Sequence, residues 1–325
     1  MLCPKLGPTM IEIVRYPNLK EVVDSVVRVW PEHESYASKS FAGRSPEVLK
    51  TSDTIAGLIK ALAKHAPGGL ERLCSDYQFM CEKLILPEEL YFRRHGKYRL
   101  TTQAEAQREV YANAPYMQRY VNGIVISHVM WSNHSQAFDS YVSRYLQLLP
   151  PNSDHLEIGP GHGLLLYFAA ASSRIGSVTG WDVSPTSIES TKSTLSALGV
   201  TRSVNLVLQN LFDEPTDVTA KRYDSIVLSE VLEHVEDPVA ALRAIKGWLK
   251  PGGRVWVNVP ANSPAPDHLF LVTSLEHACK LVAEAGLEIE HSIAFPMTGT
   301  TLDKATRRKL TISCIVTGRR AAGDS

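Results

Sequence analysis

The stretch HLEIGPGHG, residues 155 to 163, constrains this chain more than any other. A short apolar strand runs into Gly159, Gly161 and Gly163 at every second position and then directly into LLLYFAAA, which reads as a helix. Glycines at those positions let the backbone turn tightly and approach a ligand with no Cβ in the way. The free N–H groups of the following helix then face an anionic ligand group. The spacing is G-x-G-x-G, which differs from the dinucleotide pattern G-x-G-x-x-G.

Three further blocks follow in order. SVTGWDV ends a second strand in Asp182, placed to accept hydrogen bonds from two ribose hydroxyls. YDSIVLSEVLEHVEDP, residues 223 to 238, is an apolar strand opening into a loop, and LKPGGRVWVNVP occupies residues 249 to 260. Each block alone has a plain structural explanation, such as a tight strand-helix turn or, for Asp182, a helix cap ahead of Ser184 and Pro185. Together, over residues 154 to about 318, they resemble the class I S-adenosylmethionine-dependent methyltransferases. EVLEHV followed by KPGG resembles the branch that includes the ubiquinone-pathway methyltransferases.

The element pattern agrees with an α/β class. Strands are expected at 154–159, 177–182, 203–209, 223–229 and 253–259, with helices at 162–173, 185–198 and 237–249, so the fold expected is a Rossmann-like parallel sheet. A helix at about 274–285 with Thr273 and Glu276 spaced as a capping box precedes strands at 287–295 and 310–318. This last run resembles the reversed-strand ending of class I methyltransferase sheets. The resemblance implies S-adenosylmethionine as cofactor, with Glu157, Gly159 and Gly161 at its methionine portion, Asp182 at the ribose and Val183 on the adenine face. Asn210, with Leu211 beside it, stands where the family usually has an aspartate touching the adenine amino group. Ser229 and Glu230 end the fourth strand beside the expected position of the reactive methyl.

At 325 residues the chain exceeds a usual single core, and two domains are expected, 1–130 and 131–325. Lysine plus arginine equal aspartate plus glutamate at 34 each, which removes a global electrostatic argument for nucleic acid or an anionic membrane. The basic cluster KATRRK, residues 304 to 309, reads as a solvated loop between two strands. Five widely spaced cysteines, Cys3, Cys74, Cys81, Cys279 and Cys314, suit a reducing cytoplasm, with Cys74 and Cys81 read as buried small hydrophobes. No apolar run approaches the ~18 residues of a membrane span, and no secretory signal is evident, so a cytoplasmic location is expected.

The first 130 residues read as mainly helical, with helices at 18–29, 53–65 and 70–84. EELYFRRHGKYRLTT then reads as two short strands around His95 and Gly96. Helices followed by such a hairpin resemble the winged-helix dimerisation domain of many small-molecule methyltransferases, which implies a homodimer. A winged helix can also read DNA, but LERLCSDYQFMCEKL has no arginine-rich face for it. Helices at 115–131 and 133–150 follow, the second expected to pack on the catalytic domain through Phe138, Tyr141, Val142, Tyr145, Leu148 and Leu149. Tyr116, Tyr120, His128, Trp131 and His134 are the candidate roof of a substrate pocket, with His268 reaching it from PAPDHLF.

In the winged-helix O-methyltransferases a histidine after the fourth strand is the general base, and Glu233 stands in its place here with His234 beside it. Glu230, Glu233 and His234 are therefore the candidate catalytic residues, able to orient or deprotonate an acceptor, although Glu233 and His234 could equally brace the next helix. His234 and His268 with no third ligand identified make a poor metal site, and no metal is expected. The function expected is methyl transfer to a small molecule such as an amino acid, a keto acid or a phenolic intermediate of specialised metabolism. The alternatives are a protein or nucleic-acid methyltransferase and a non-catalytic S-adenosylmethionine-binding regulator.

Overall fold

The computed structural model describes residues 13–213 and 222–323, so Cys3 lies outside the described residues. Its centre is a seven-stranded sheet of β1 (Ser153–Ile158), β2 (Ile175–Asp182), β3 (Val204–Leu208), β4 (Tyr223–Ser229), β5 (Leu249–Ala261), β6 (Glu288–Pro296) and β7 (Ile312–Arg319). The strand order is β3-β2-β1-β4-β5-β7-β6. Strands β1 to β5 pair in parallel, whereas β7 runs antiparallel to both β5 and β6. This is the Rossmann-like sheet expected from the sequence, with its reversed final strands. The middle strands are buried on both faces, and for that reason they read as continuous apolar runs.

Local chemistry starts and stops the elements. Nine helices precede the sheet among the described residues: α1 (Pro17–Val29), α2 (Glu34–Phe41), α3 (Pro46–Ala63), α4 (Gly69–Phe79), α5 (Leu86–His95), α6 (Gln103–Ala106), α7 (Ala114–Met130), α8 (Ser132–Asp139) and α9 (Leu146–Leu148). π-Helical turns at Met80–Ile85 and Ser140–Tyr145 carry α4 into α5 and α8 into α9. Five more belong to the sheet: α10 (Leu164–Ala171), α11 (Pro185–Ala197), α12 (Pro238–Trp248), α13 (Leu275–Glu284) and α14 (Leu302–Arg308). Ser45, Asn113, Ser184 and Asp237 each cap a helix by accepting the backbone N–H three residues ahead, with a proline in the first turn.

Five expectations need correction. Residues 86–95 form α5 and not the first strand of a hairpin. Pro87, Glu88 and Glu89 occupy its first turn, Arg93, Arg94 and His95 its last, and Gly96 ends it at φ 68°, a charge and cap pattern that complements the helix dipole. No strand precedes Ser153 among the described residues, so the wing of a winged helix is not formed. KATRRK lies mostly within α14, solvated but helical, with Lys309 ending it at φ 50°. The cap of α13 is Ser274, which accepts the His277 N–H, and not Thr273. Leu148 is 58% exposed and takes no part in the packing of its helix on the sheet.

The remaining residues of that helix pack as the sequence indicated. Tyr141 and Tyr145 lie against Trp256 of β5, Phe138 lies edge-on to Phe168 of α10, and the Tyr145 hydroxyl meets Ser225 Oγ of β4 at 2.8 Å. One apolar cluster consequently runs from Leu19 and Ile59 in the N-terminal helices to Trp256 and Ile315 in the sheet. The N-terminal helices and the sheet share this core. Asp76 anchors the helical part: fully buried, it accepts from Arg72, Arg119 and Asn122. Cys74 is buried and Cys81 half-buried, both as free thiols.

Candidate active site at the carboxyl ends of the strands

The parallel strands end in register, and this register collects the candidate residues. Gly159 N donates to Trp181 O, Gln209 N to Asp182 O and Glu230 N to Asn258 O, at 2.8, 2.9 and 2.8 Å. In an open α/β sheet a ligand sits beyond these ends. Gly159, Gly161 and Gly163 take φ of 65°, 52° and 75°, a region closed to most side chains. Thr191 Oγ1 of α11 donates to Gly161 O at 2.9 Å and fixes the turn from behind.

Each cofactor candidate has a definite setting. Glu157, at the end of β1, is buried with Oε2 lacking a hydrogen-bond partner, and burial pushes its carboxyl up to about 8. Asp182 Oδ1 accepts the Ser184 N–H at 2.9 Å, and burial raises this carboxyl as well. Val183 beyond β2 and Phe212 beyond β3 are 68% and 57% exposed, unusual for apolar side chains beside a polar turn. Asn210 Oδ1 is engaged by the Phe212 N–H at 3.0 Å, in a turn that holds half-buried Leu211 next to it. Ser229 Oγ accepts from Asn258 Nδ2 at 3.0 Å.

The catalytic candidates form one cluster. Glu230 has φ 55°, a strained value for a residue with a side chain, and its Oε1 accepts from Asn258 Nδ2 at 3.0 Å. A short helical turn, Leu232–His234, follows. Leu269 and Phe270 donate their N–H groups to Glu233 O at 2.8 and 3.0 Å, which stitches the loop after β5 to the loop after β4 and brings His268 beside Glu233 and His234. Burial, then mutual repulsion with Glu230, holds the Glu233 carboxyl well above the usual range, and burial raises Glu230 too. Burial lowers His268 to about 4, leaving it neutral.

The N-terminal region covers this cluster with Tyr120, as the sequence indicated, and with Tyr98, Gln103 and Tyr111, which the sequence reading missed. Tyr111 and Tyr120 donate to the two oxygens of Asp267 at 3.2 and 3.4 Å, and the Tyr98 hydroxyl accepts the Ser263 N–H at 3.1 Å. Gln103 Nε2 donates to His234 O. Of the expected roof, Tyr120 and His268 arrive here. Tyr116, half-buried and edge-on to Phe79, also packs on the cluster that holds Leu269 beside His268, whereas Trp131 donates to the Tyr77 hydroxyl in the N-terminal core. His134 Nδ1 bonds Ser127 Oγ at 3.0 Å. His128 instead reaches the glycine turn, where its Nε2 lies 2.6 Å from Nε2 of His162. His162 Nδ1 accepts the Leu164 N–H, so its Nε2 carries the proton and donates to His128.

Residues 130–299, slightly more than half of the chain, match the family described as a methyltransferase domain. The chain belongs to this family, whose methyl donor is S-adenosylmethionine. Among curated relatives, a ubiquinone biosynthesis O-methyltransferase of Vibrio vulnificus (strain YJ016) is 30% identical over 129 residues, 40% of this chain and 52% of the relative. One of the same description from Xanthomonas axonopodis pv. citri (strain 306) is 32% identical over 133 residues, 41% of this chain and 52% of the relative. The chain spans about half the length of the curated relatives it matches. Among solved structures, the N-methyltransferase NodS from Bradyrhizobium japonicum WM9 aligns with TM-score 0.42 and 18% identity over 58% of this chain and 94% of that one.

The residues present fit that cofactor. A glycine turn without side chains, a buried Glu157 oxygen without a partner for a cationic ligand to satisfy, and Asp182 at the neighbouring strand end are what a sulfonium-bearing nucleoside needs. Asp182→Ala is expected to weaken S-adenosylmethionine binding by about 1 to 3 kcal/mol, since the ribose hydroxyls lose a charged acceptor. Calorimetry on the folded variant checks this, and unchanged affinity would mean that the ribose is held elsewhere.

Proposed function

We propose that the protein transfers a methyl group from S-adenosylmethionine to a small-molecule acceptor. The observation that carries the reading is the cluster of buried Glu233, Asp267 and His268 with half-buried Glu230 and His234 beyond β4 and β5, beside the glycine turn and under Tyr98, Tyr111 and Tyr120. Cover of this kind suits a metabolite better than a protein or nucleic-acid chain, which needs an open, charged cleft. The named relatives favour a phenolic oxygen among the acceptors considered, ahead of an amino acid or a keto acid.

When bound, the cofactor supplies an activated methyl group, and alignment is the main demand left to the protein. Gly159, Gly161, Asp182 and Glu157 would hold it, with Val183, Asn210 and Leu211 at the adenine and Ser229 near the sulfonium. Glu230, raised by burial to about 7, is basic enough to take a proton from an acceptor, with Glu233 hydrogen-bonded beside it. The tyrosines and Gln103 close the site over the acceptor and exclude water. Labelled S-adenosylmethionine incubated with the protein and a metabolite extract, followed by mass analysis of methylated products, tests the reading. Label in polymers alone, or tight binding without turnover, would replace it with one of the two rivals.

Residues 1–130 would form the covering unit and residues 131–325 the transfer unit of a cytoplasmic homodimer. Leu86 and Leu90, one turn apart on α5, are 49% and 61% exposed and give the dimer an apolar stripe. Light scattering at micromolar concentration is expected to return twice the 35.9 kDa chain mass. A monomer there would defeat this part.

A further inference from the structure

We propose that Glu233, His234 and His268 form a binding site for a divalent first-row transition-metal ion. The sequence argued against a metal because His234 and His268 had no third ligand; the fold supplies one. The ligand-bearing atoms of the three side chains all lie within 4.8 Å of one another. His234 Nε2 and His268 Nε2 lie 3.8 and 4.0 Å from Glu233 Oε1. Ligands on one ion with bonds of about 2.0 to 2.2 Å stand about 3 to 3.6 Å apart, so the two Glu233 pairs need to close by a few tenths of an ångström and the widest pair by about 1 Å.

The histidine tautomers point the same way. His234 Nδ1 lies 3.1 Å from Asp267 O, and His268 Nδ1 lies 2.6 Å from Ser263 O. A carbonyl oxygen can only accept, so each Nδ1 carries a proton and Nε2 is the nitrogen each ring has left to offer a metal. Both Nε2 atoms are on the Glu233 side. A ring N–H held by a backbone carbonyl while the other nitrogen is left to a metal is the usual outer-shell arrangement of a ligating histidine. The rings stand at 88° to each other, with centroids 4.9 Å apart, so their lone pairs converge from different directions.

Glu233 is the independent observation. It is fully buried, and the one side chain among the described residues that shares a hydrogen bond with its carboxyl is another acid, Glu230; no side-chain N–H or hydroxyl donor reaches it. Glu230 and Asp267 add acidic groups nearby, Asp267 Oδ2 lying 3.5 Å from His234 Nδ1. No lysine or arginine among the described residues pairs with any of the three carboxyl groups. A buried carboxyl with only another acid for company is costly, and a cation between it and the two imidazoles removes the cost. Two imidazoles with a carboxylate suit manganese, iron, cobalt or zinc better than magnesium or calcium.

For the chemistry, this inference rests on the methyl-transfer reading. The ion would bind an acceptor oxygen and acidify its hydroxyl. The O–H proton leaves to Glu230 or to water, an oxygen lone pair forms the new O–C bond, and the C–S bond breaks with its electrons on sulfur, giving a neutral thioether.

The test uses the full chain after chelator treatment, titrated by calorimetry with Mn2+, Co2+ or Zn2+ and, for Co2+, by visible absorption. One equivalent should bind. His268→Ala and Glu233→Gln, each checked for native circular dichroism, should bind at least ~100-fold more weakly, while S-adenosylmethionine affinity stays within about threefold, under 1 kcal/mol. No uptake of any of the three ions at millimolar concentration, or undiminished affinity in either variant, would overturn the site. Ion uptake by a protein that does not bind S-adenosylmethionine would sink the methyl-transfer reading and leave the metal site standing.

Discussion

Glu233→Gln is expected to lower kcat at least ~100-fold while S-adenosylmethionine affinity holds. The amide preserves shape, so the loss isolates the carboxylate. The same variant should be more stable than the parent at neutral pH, and this separates a role in chemistry from one in bracing the following helix. The sign follows from the raised pKa. A carboxyl whose folded pKa lies above its unfolded value favours folding fully only below the unfolded value, near 4.5, and that contribution is lost as pH rises toward the folded pKa. Glutamine titrates nowhere in this window. The stability gap between variant and parent should therefore widen from about pH 5 to pH 8 in urea denaturation. Normal kcat together with lower stability would make Glu233 a brace with no part in the chemistry.

The sheet was legible in the sequence because its signals are local. Tyr223–Ser229 and Pro185–Ala197 could be read nearly to the residue, since buried parallel strands are apolar runs and their helices begin at Ser-Pro or Asp-Pro. The region around Gly96 was misread because Tyr91, Phe92 and Tyr98 carry strand propensity. The end signals of α5, Pro87 at the start and Gly96 at the finish, were in the sequence and outweigh it. Half of the site was legible for the same reason. Asp182 and Glu230 end strands, and strand ends can be counted. Asp267, Tyr98 and Tyr111 could not be found this way. They meet the β4 loop only because Ser229 pairs with Asn258 and Glu233 O takes the N–H groups of Leu269 and Phe270, and no sequence spacing encodes that meeting. The third metal ligand was hidden for the same reason: Glu233 was already read as a base, and only the fold places His268 next to it.

Trp256→Ala is expected to cost about 3 to 5 kcal/mol of folding stability. Trp256 is 1% exposed at the centre of β5, paired with Val227 on one side and Thr317 on the other. Its ring centroid lies 5.2 Å from that of Tyr141 and 6.2 Å from that of Tyr145, so it is where the helix leading out of the N-terminal region docks on the sheet. Truncation removes the largest apolar surface at that contact and leaves a cavity bordered by two tyrosines, each already tied through its hydroxyl to His155 or Ser225 and unable to collapse inward. If the helices and the sheet unfold as one unit, a single urea transition should shift to lower denaturant with an unchanged slope. Two separated transitions would show that the helical region keeps its own stability and that the shared core couples the halves weakly. Val183→Ala serves as the reference, since that side chain is 68% exposed and its loss should stay within about 0.5 kcal/mol. A Trp256→Ala cost as small as that one would mean that the interface carries little of the fold's stability, and that the cover over the active site can leave the sheet without unfolding it.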